Sequence, residues 1–389
     1  MKLIFITLLL ASCSVHKKNQ KLHGHFELYT EPSSPRLFDL EKDEKRIVIA
    51  STNDIGGHQG PSVISFEDQH HKDNQETKIG GYNVIHQYLN ILRASYKNVI
   101  LVDSGSLFSK DADTKDVRNF YKKNNYDALT LGIDDFNLNH DKDVSIHVEE
   151  FGHKSNVPIL LSNLLELKTA RAIEWKGTKS QLLKSIDGLS IGMIGLVPDD
   201  IISQSPVKNR IGLYVENMLQ STLRHARLLK SLGADMIIVM THQSIDCSTN
   251  LMNERNLPRG KVNFDPHDQK ACLLNNSLGD YLKRLPPKLV DVVVGGRSHD
   301  KMANFVNGVL VIGGFTQGGA LNFSEFVINT KTRKLNHAKT VVHQPIMFCH
   351  EFFKETNDCF TEDKTVNHKD RVKARFLGTE IISAEFQIH

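Results

Sequence analysis

The chain has 389 residues, enough for one large domain or two of ordinary size. Hydrophobic residues make up 40% and charged residues 24%, which excludes a mainly disordered chain, a collagen-like repeat and a multi-span membrane protein. The 48 basic and 45 acidic residues leave a formal charge of +3, too small to indicate a nucleic-acid partner. The 19 histidines are many, and histidine is the commonest metal ligand, so their positions matter most.

Residues 1–13 have the layout of a secretory signal, with one lysine before the apolar run Leu3–Leu10 and small residues after it. The run is too short to span a bilayer. Its ending, LASC, resembles the bacterial lipobox, whose cysteine is acylated and becomes the mature N-terminus. We therefore predict a lipoprotein of the bacterial envelope, anchored to a membrane through Cys13 and facing the periplasm or the cell surface. Ser14 favours the outer membrane, and a cleaved signal with a coincidental cysteine is the alternative.

Composition divides the rest of the chain. Residues 14–45 are polar and rich in Lys, Pro and Ser, which predicts a tether. Residues 46–360 hold the patterned sequence of a folded domain. Residues 361–389 form a charged, weakly patterned tail.

The remaining four cysteines are typical of an exported protein, because disulfides persist in oxidising compartments. Four cysteines allow three pairings, of which we favour Cys247–Cys272 and Cys349–Cys359. The first pair brackets a polar insertion, 246–276, and the second flanks a short segment. Zinc binding by the four is the alternative, although no CxxC pair occurs.

Short apolar runs recur along the domain and predict strands buried on both faces. They lie at 46–50, 99–102, 158–161, 190–195, 236–240, 290–294 and 309–312. Amphipathic patterns at 82–92 and 217–232 predict helices between them. Strands that alternate with helices predict an α/β fold.

The loops after these strands carry polar side chains, and in α/β sheets ligands gather at that edge. In chain order the loops read TNDIGGH from Thr52, DSGS from Asp103, LGIDDFN from Leu131, THQ from Thr241 and GGRSH from Gly295. This ordered set resembles the calcineurin-like metallophosphoesterases of the 5′-nucleotidase branch. Their motifs are TND-x-HG, D-x-GD, GNHEFD, a lone histidine after a strand, and GGHSH. The resemblance implies a four-layer αββα sandwich of two mixed sheets flanked by helices.

The resemblance also implies a centre of two metal ions that ionise a water for attack on phosphorus. Three of the family's ligand positions are retained, as Asp54, His242 and His299. The other five positions carry Gly56, Ser106, Ile133, Asp134 and Arg297.

These replacements remove the chemistry that the family needs. Ser106 stands where a bridging aspartate would be, Ile133 has no ligand atom, and Asp134 occupies the position of the catalytic histidine. Arg297 places a permanent cation where an imidazole would meet a metal ion. We therefore predict no catalytic residue and no cofactor, and a pocket lined by Ser106, Ile133 and Arg297.

Two rearrangements of this pocket are open. His58 follows two glycines and can either stay solvated, which we favour, or swing into the vacant ligand position. Asp134 either pairs with Arg297, which we favour, or joins Asp135 and the retained ligands in a mononuclear site. Asp103 precedes the ligand position of its motif, and we expect it to cap the loop.

The sequence thus predicts a pseudoenzyme, in which an envelope lipoprotein uses a degenerate 5′-nucleotidase-like domain to bind or scaffold a small anion or a protein partner. The alternative is an active phosphoester hydrolase of the nucleotide type with one zinc or manganese ion in a rearranged site. A purely structural envelope protein is a third possibility. About 70 residues follow Leu321, too few for the base-binding domain of two-domain nucleotidases, so the sequence does not favour a nucleotide substrate.

Overall fold

A computed structural model describes most of the chain. The described ranges are 39–66, 75–109, 112–138, 143–247, 265–268, 271–297, 302–315, 317–343, 345–353, 371–373, 375–377 and 380–382. Three predicted site residues lie outside them, namely Cys13, His299 and Cys359. Among the helices in these ranges, none combines the length and apolarity that a membrane crossing requires.

The first sheet has nine strands. They are β1 (Glu44–Thr52), β4 (Val99–Asp103), β5 (Ala128–Leu129), β6 (Ile159–Leu160), β8 (Thr178–Lys179), β16 (Ala320–Asn329), β17 (Lys334–Leu335), β18 (Val341–Val342) and β19 (Ile346–Met347). The order is β17-β16-β1-β4-β5-β6-β8, and β18 and β19 also pair with β16. From β1 to β8 the strands are parallel, whereas β16 runs antiparallel to β1.

The second sheet has six strands. They are β9 (Leu182–Ile186), β10 (Leu189–Leu196), β12 (Met236–Thr241), β13 (Val292–Gly295), β14 (Met302–Val306) and β15 (Val309–Gly313). The order is β14-β15-β13-β12-β10-β9. The four central strands are parallel, and the edge strands β9 and β14 are antiparallel to their neighbours.

The remaining strands form two-stranded ribbons. They are β2 (Ser62–Phe66) with β3 (Gln75–Ile79), β7 (Leu164–Glu166) with β11 (Leu213–Val215), β20 (Glu351–Phe353) with β21 (Arg371–Lys373), and β22 (Arg375–Leu377) with β23 (Glu380–Ile382). The described helices are α1 (Tyr82–Ser95), α2 (Thr114–Lys123), α3 (Ile133–Phe136), α4 (Val144–Gly152), α5 (Ile201–Gln204), α6 (Met218–Ser231) and α7 (Ser277–Arg284).

Side-chain alternation along the strands builds the layers. In β1, Ile47 and Ile49 belong to a core between the two sheets, whereas Val48 and Ala50 belong to a core on the helix side. Successive residues of a strand point to opposite faces, so β1 is buried on both. A third core packs α6 and α7 against the second sheet. The layers therefore run helix, sheet, sheet, helix, and the predicted αββα sandwich is confirmed.

All seven predicted strands and both predicted helices occur, with bounds within a few residues of the sequence pattern. The strand β16 was not predicted, although its ten residues form the strand next to β1. Its sequence, ALNFSEFVIN, mixes polar and apolar residues, and tertiary packing buries nine of them. Helices α2, α4 and α7 were also missed because their patterns are short.

The predicted disulfide Cys247–Cys272 is confirmed, with a Cα–Cα distance of 4.0 Å. It closes the polar insertion, and an isolated antiparallel bridge between Asp246 and Leu273 lies beside it. Cys349 is also disulfide-bonded. Its pairing with Cys359 stays a prediction, because Cys359 lies outside the described residues.

Candidate functional site

The predicted site residues come from four loops that meet at the carboxyl ends of the parallel strands. Asp54 follows β1, Ser106 follows β4, His242 follows β12 and Arg297 follows β13. Backbone hydrogen bonds join the first two loops, because the Asp54 N–H donates to the Gly105 carbonyl at 3.0 Å. The short helix α3 adds Asp134 from a fifth segment. The fold thus gathers side chains that are far apart in the sequence.

Glycine makes the close approach of these loops possible. Gly105 has a φ of 115°, and a Cβ there would lie 2.7 Å from the Gly132 backbone nitrogen. A Cβ on Gly132 would in turn lie 2.7 Å from the His242 ring. Only glycine fits at both positions. The loops can therefore carry Ser106, α3 and His242 into one cluster.

A continuous hydrogen-bond chain links this cluster. The Asp54 Oδ1 atom lies 2.7 Å from His242 Nε2, and the same nitrogen lies 3.0 Å from Ser106 Oγ. The Ser106 hydroxyl donates to Asp134 Oδ2 at 2.7 Å. Two retained ligand positions, Asp54 and His242, thus bond each other directly, and Ser106 extends the chain to Asp134.

Asp54 and His242 each shift the pKa of the other toward its charged form. Burial opposes ionisation of Asp54, but His242, the Asn53 side chain and the Arg297 N–H together hold its pKa below the usual value. Burial likewise opposes a charge on His242, yet the Asp54 carboxylate prevails and raises the histidine pKa. The Ile133 N–H faces His242 Nδ1 and disfavours a second ring proton, but at 3.4 Å this contact is weak beside the 2.7 Å bond to Asp54. The two are therefore joined by a short hydrogen bond, and the raised pKa of His242 favours its charged form beside the Asp54 carboxylate.

Asn53 is a site residue that the sequence analysis missed. Its Nδ2 donates to Asp54 Oδ2 at 2.5 Å, and its Oδ1 accepts the Gly314 N–H at 2.9 Å. Asn53 thereby fixes the Asp54 carboxylate against the loop after β15. Its place beside Asp54 in the TND sequence was the available signal.

The favoured pairing of Asp134 with Arg297 is wrong. The Arg297 guanidinium lies 3.3 Å from Asp200 Oδ2 and 3.1 Å from Gln204 Oε1. Asp200 is the N-cap residue of α5 and Gln204 is its last residue. Asp134 is exposed and accepts the Ser106 hydroxyl instead. No local pattern indicates that the N-cap of α5 supplies a closer acid for Arg297.

Asp135 is not available as a ligand, so its part in the predicted mononuclear alternative is also wrong. Its fully buried carboxylate accepts backbone N–H groups of Gly132, Ser106 and Phe108 at 2.7, 3.1 and 2.8 Å. It therefore holds the loop after β4 against α3. Burial raises its pKa to about 7, against the effect of these donors.

Asp103 caps its loop, as predicted. It accepts the Gly105 N–H at 3.0 Å and bonds Thr52 Oγ1 at 2.6 Å. Burial raises the pKa of Asp103 to about 8, because desolvation outweighs these two hydrogen bonds. Asp103 is thus a structural carboxyl group behind the site.

A cleft of about 250 Å³ opens beside the hydrogen-bond chain. Its described walls are formed by Asp54, Gly56, His58, Ser106, Phe108, Ser109, Asp134, Asn137, Leu138 and Gln317. Ser106 lines it as predicted, while Ile133 is part of the helix-side core and Arg297 extends to α5. His58 is exposed at the cleft. The charged carboxylates in these walls are Asp54 and Asp134.

These residues do not fit the dimetal centre that the resemblance implies. The Asp54 Oδ1 and His242 Nε2 atoms face each other at 2.7 Å. Ser106 offers a hydroxyl in place of a bridging carboxylate, and Ile133 is apolar. Within the described ranges, no three His, Cys, Asp or Glu side chains are arranged to hold a metal ion. His299 lies outside those ranges.

Comparison with known proteins gives the class of the fold. No family model matches the chain. The chain is 27% identical over 183 residues to the NAD 5′-nucleotidase of Haemophilus influenzae, a match that covers 44% of this chain and 28% of that protein.

Three solved structures are similar to the whole sandwich. The Haemophilus influenzae NAD nucleotidase has a TM-score of 0.55 at 17% identity, with 78% of this chain and 56% of that one covered. A Thermus thermophilus 5′-nucleotidase precursor has a TM-score of 0.54 at 18% identity, and the match covers 78% of this chain and 55% of that one. The calcineurin-like phosphoesterase YfkN of Bacillus subtilis has a TM-score of 0.56 at 17% identity, and the match covers 78% of this chain and 91% of that one.

The chain therefore has the calcineurin-like metallophosphoesterase fold and resembles the 5′-nucleotidase branch, as the motifs predict. Within that branch it is similar to the NAD 5′-nucleotidase of Haemophilus influenzae. It spans 28% of that curated relative and 56% of the corresponding solved chain.

Proposed function

We propose that this protein is an envelope lipoprotein whose 5′-nucleotidase-like domain binds a partner and does not hydrolyse phosphoesters. The observation that supports this proposal best is the direct 2.7 Å contact between Asp54 and His242. A metal ion would have to displace the proton between these two groups, and it would meet the Ser106 hydroxyl in place of a bridging carboxylate. Ser106 completes the replacement by satisfying His242 and Asp134.

The charges that line the cleft limit the chemical classes of partner that it can bind. Its described walls carry the carboxylates of Asp54 and Asp134, while the Arg297 guanidinium is bonded to Asp200. With Asp54 bonded to His242, the Asp134 carboxylate leaves these walls negative, which disfavours a phosphate. We therefore propose a group of a protein partner, neutral or cationic, as the occupant in preference to the small anion.

The test is metal content together with hydrolysis. The protein is purified without a histidine tag, its metals are quantified, and a generic phosphodiester and a nucleotide are tested with added manganese or zinc. We expect metal well below one equivalent and no turnover. Stoichiometric metal with activity that Asp54→Ala and His242→Ala each abolish, and that the exposed His337→Ala control keeps, would end the proposal.

Two variants that restore the family's ligand residues test whether metal binding is absent because the ligands are lost or because metal was scarce during purification. Asp134→His with Arg297→His returns two family imidazoles but leaves Ser106 in the bridging position, so we expect no tight metal binding. Adding Ser106→Asp, Ile133→Asn and Gly56→His completes the donor set, and we expect zinc or manganese binding to appear only then. Tight binding by the first variant would contradict the central importance of the bridge.

The second candidate function is a phosphoester hydrolase with a single zinc or manganese ion. The exposed His58 at the cleft favours it, because that side chain is free to approach Asp54 and His242. In that case His58→Ala would lower both metal content and turnover. Unchanged metal content in His58→Ala would exclude this arrangement.

A further inference from the structure

An apolar patch lies on the ribbon formed by β7 and β11. Leu167 directly follows β7, and its N–H donates to the Gly212 carbonyl at 2.8 Å, which places it beside Ile211. A short 3-10 turn, Val207–Asn209, leads into the same loop. We define the apolar patch as Leu167, Val207, Ile211 and Tyr214.

The four side chains of the apolar patch are unusually exposed. The exposed fraction is 74% for Ile211, 60% for Leu167 and Val207, and 47% for Tyr214. On β11, Leu213 and Val215 pack against the helix-side core, so the alternation of the strand turns Tyr214 outward. Single exposed apolar residues are ordinary, but a group of four in two adjoining loops indicates an interaction surface.

Basic residues surround the apolar patch. Lys168 and Arg171 lie in the loop after β7, and Lys208 lies in the 3-10 turn. All three are exposed. Glu166, at the end of β7, accepts the Thr169 hydroxyl at 2.7 Å. Glu174 is an exposed acid of the same loop, where Lys176 adds a further exposed base. The local charge is therefore positive around an apolar centre.

We propose that this face docks on a membrane surface of anionic phospholipid. Apolar side chains that enter the headgroup region, with Lys and Arg beside them, are the signature of interfacial binding to anionic lipid. The inference rests on the proposed envelope location, and it adds a second contact to the proposed lipid at Cys13. An extended chain advances up to about 3.5 Å per residue, so the segment between Cys13 and Asp39 is long enough to let any face of the domain reach the membrane.

The docking face is joined to the cleft. Asn209, in the 3-10 turn, donates to the Phe136 carbonyl of α3 at 2.6 Å and accepts the Val144 N–H at 3.2 Å. Helix α3 carries Asp134, which lines the cleft. Docking would therefore fix the orientation of the cleft relative to the lipid surface, so that its partner would be one that lies near the membrane.

The experiment measures binding of the full chain to vesicles by sedimentation, with Cys13→Ser present so that acylation cannot contribute. Vesicles of phosphatidylcholine and phosphatidylglycerol at a ratio of 3:1 are compared with phosphatidylcholine alone. We expect binding to the anionic vesicles that weakens with salt. Lys168→Gln with Arg171→Gln should weaken it about 30-fold, from about a fivefold loss per charge. Val207→Asn with Ile211→Asn should weaken it at least about tenfold.

A matched control lies at the far end of helix α6. Leu232 is 57% exposed, and the 14 residues of α6 put it about 20 Å along the helix from β11. Leu232→Asn should bind like the parent, and the melting temperature of every variant should match the parent. Equal binding by the patch variants and the parent would overturn the proposal. So would self-association that Ile211→Asn abolishes without any vesicle binding, because the patch would then be a protein contact.

The anchor is tested separately. In cells, Cys13→Ser should abolish the incorporation of labelled fatty acid into the protein, whatever the patch does. Failure of that result would count against the lipoprotein proposal, whereas failure of vesicle binding would count against the docking face alone.

Discussion

The replacement Asp103→Asn tests whether a buried carboxyl group behind the site is neutral. Asp103 is fully buried, and burial raises its pKa to about 8. A protonated Oδ2 can donate to Thr52 Oγ1, which in turn bonds the Tyr126 hydroxyl at 2.8 Å. The Oδ1 atom still accepts the Gly105 N–H. An asparagine amide offers the same donor and the same acceptor, so it mimics the neutral acid.

The expected change in the free energy of unfolding follows from the linkage between proton binding and folding. An unfolded aspartate has a pKa of about 3.9, so between pH 5 and pH 8 the folded state holds up to one proton more than the unfolded state. The contribution of Asp103 to the free energy of unfolding therefore falls as pH rises, by about 4 kcal/mol over that range. Asp135, whose pKa is also raised, adds a separate contribution of the same sign that Asp103→Asn leaves in place. Asp103→Asn removes the contribution of Asp103, because asparagine does not titrate. The variant should match the wild type near pH 5 and exceed it by several kcal/mol at pH 8.

Urea unfolding at pH 5, 6, 7 and 8 checks this expectation. Asp135→Asn is the matched control, because Asp135 accepts three backbone N–H groups on its two oxygens. An asparagine amide at this position would place its own NH2 group against one of these backbone N–H groups. The variant should therefore be less stable than the wild type at every pH. A parallel pH dependence in Asp103→Asn and the wild type would refute the reasoning, since it would show that Asp103 is ionised throughout.

Three further substitutions probe the scaffold. Glu325→Gln should cost about 2–3 kcal/mol at pH 7 by urea unfolding, because it removes the buried negative charge that lies 3.1 Å from Arg46 and 2.9 Å from His343. The pKa of Glu325 is lowered, so this loss should shrink as pH falls through the folded-state pKa. Cys272→Ser opens a disulfide of sequence separation 25 and should cost about 3 kcal/mol, a difference that should vanish when both proteins are reduced. Gly105→Ala should lower the melting temperature sharply, because its Cβ would lie 2.7 Å from Gly132; an unchanged melting temperature would show that the loop can shift.

The layers of the fold were predictable because they depend on local patterns. Apolar runs such as 236–240 mark strands buried on both faces, and the described strand is Met236–Thr241. The strand β16 was not predictable in the same way. Its polar residues, including Glu325, are buried through partners such as His343 and Tyr96 that only the assembled sheet supplies.

The sequence by itself determined the family resemblance and the retained positions Asp54 and His242, because residue types and their order are enough for each. It favoured the disulfide Cys247–Cys272 among three pairings, and the structure contains that disulfide. Only the tertiary structure decided how the altered site satisfies its charges. Asp54 bonds His242, Ser106 bonds Asp134, and Arg297 pairs with Asp200. The physical reason is that a charged side chain pairs with the nearest partner of good geometry, and the distance between loops is fixed by packing that the order of residues does not reveal.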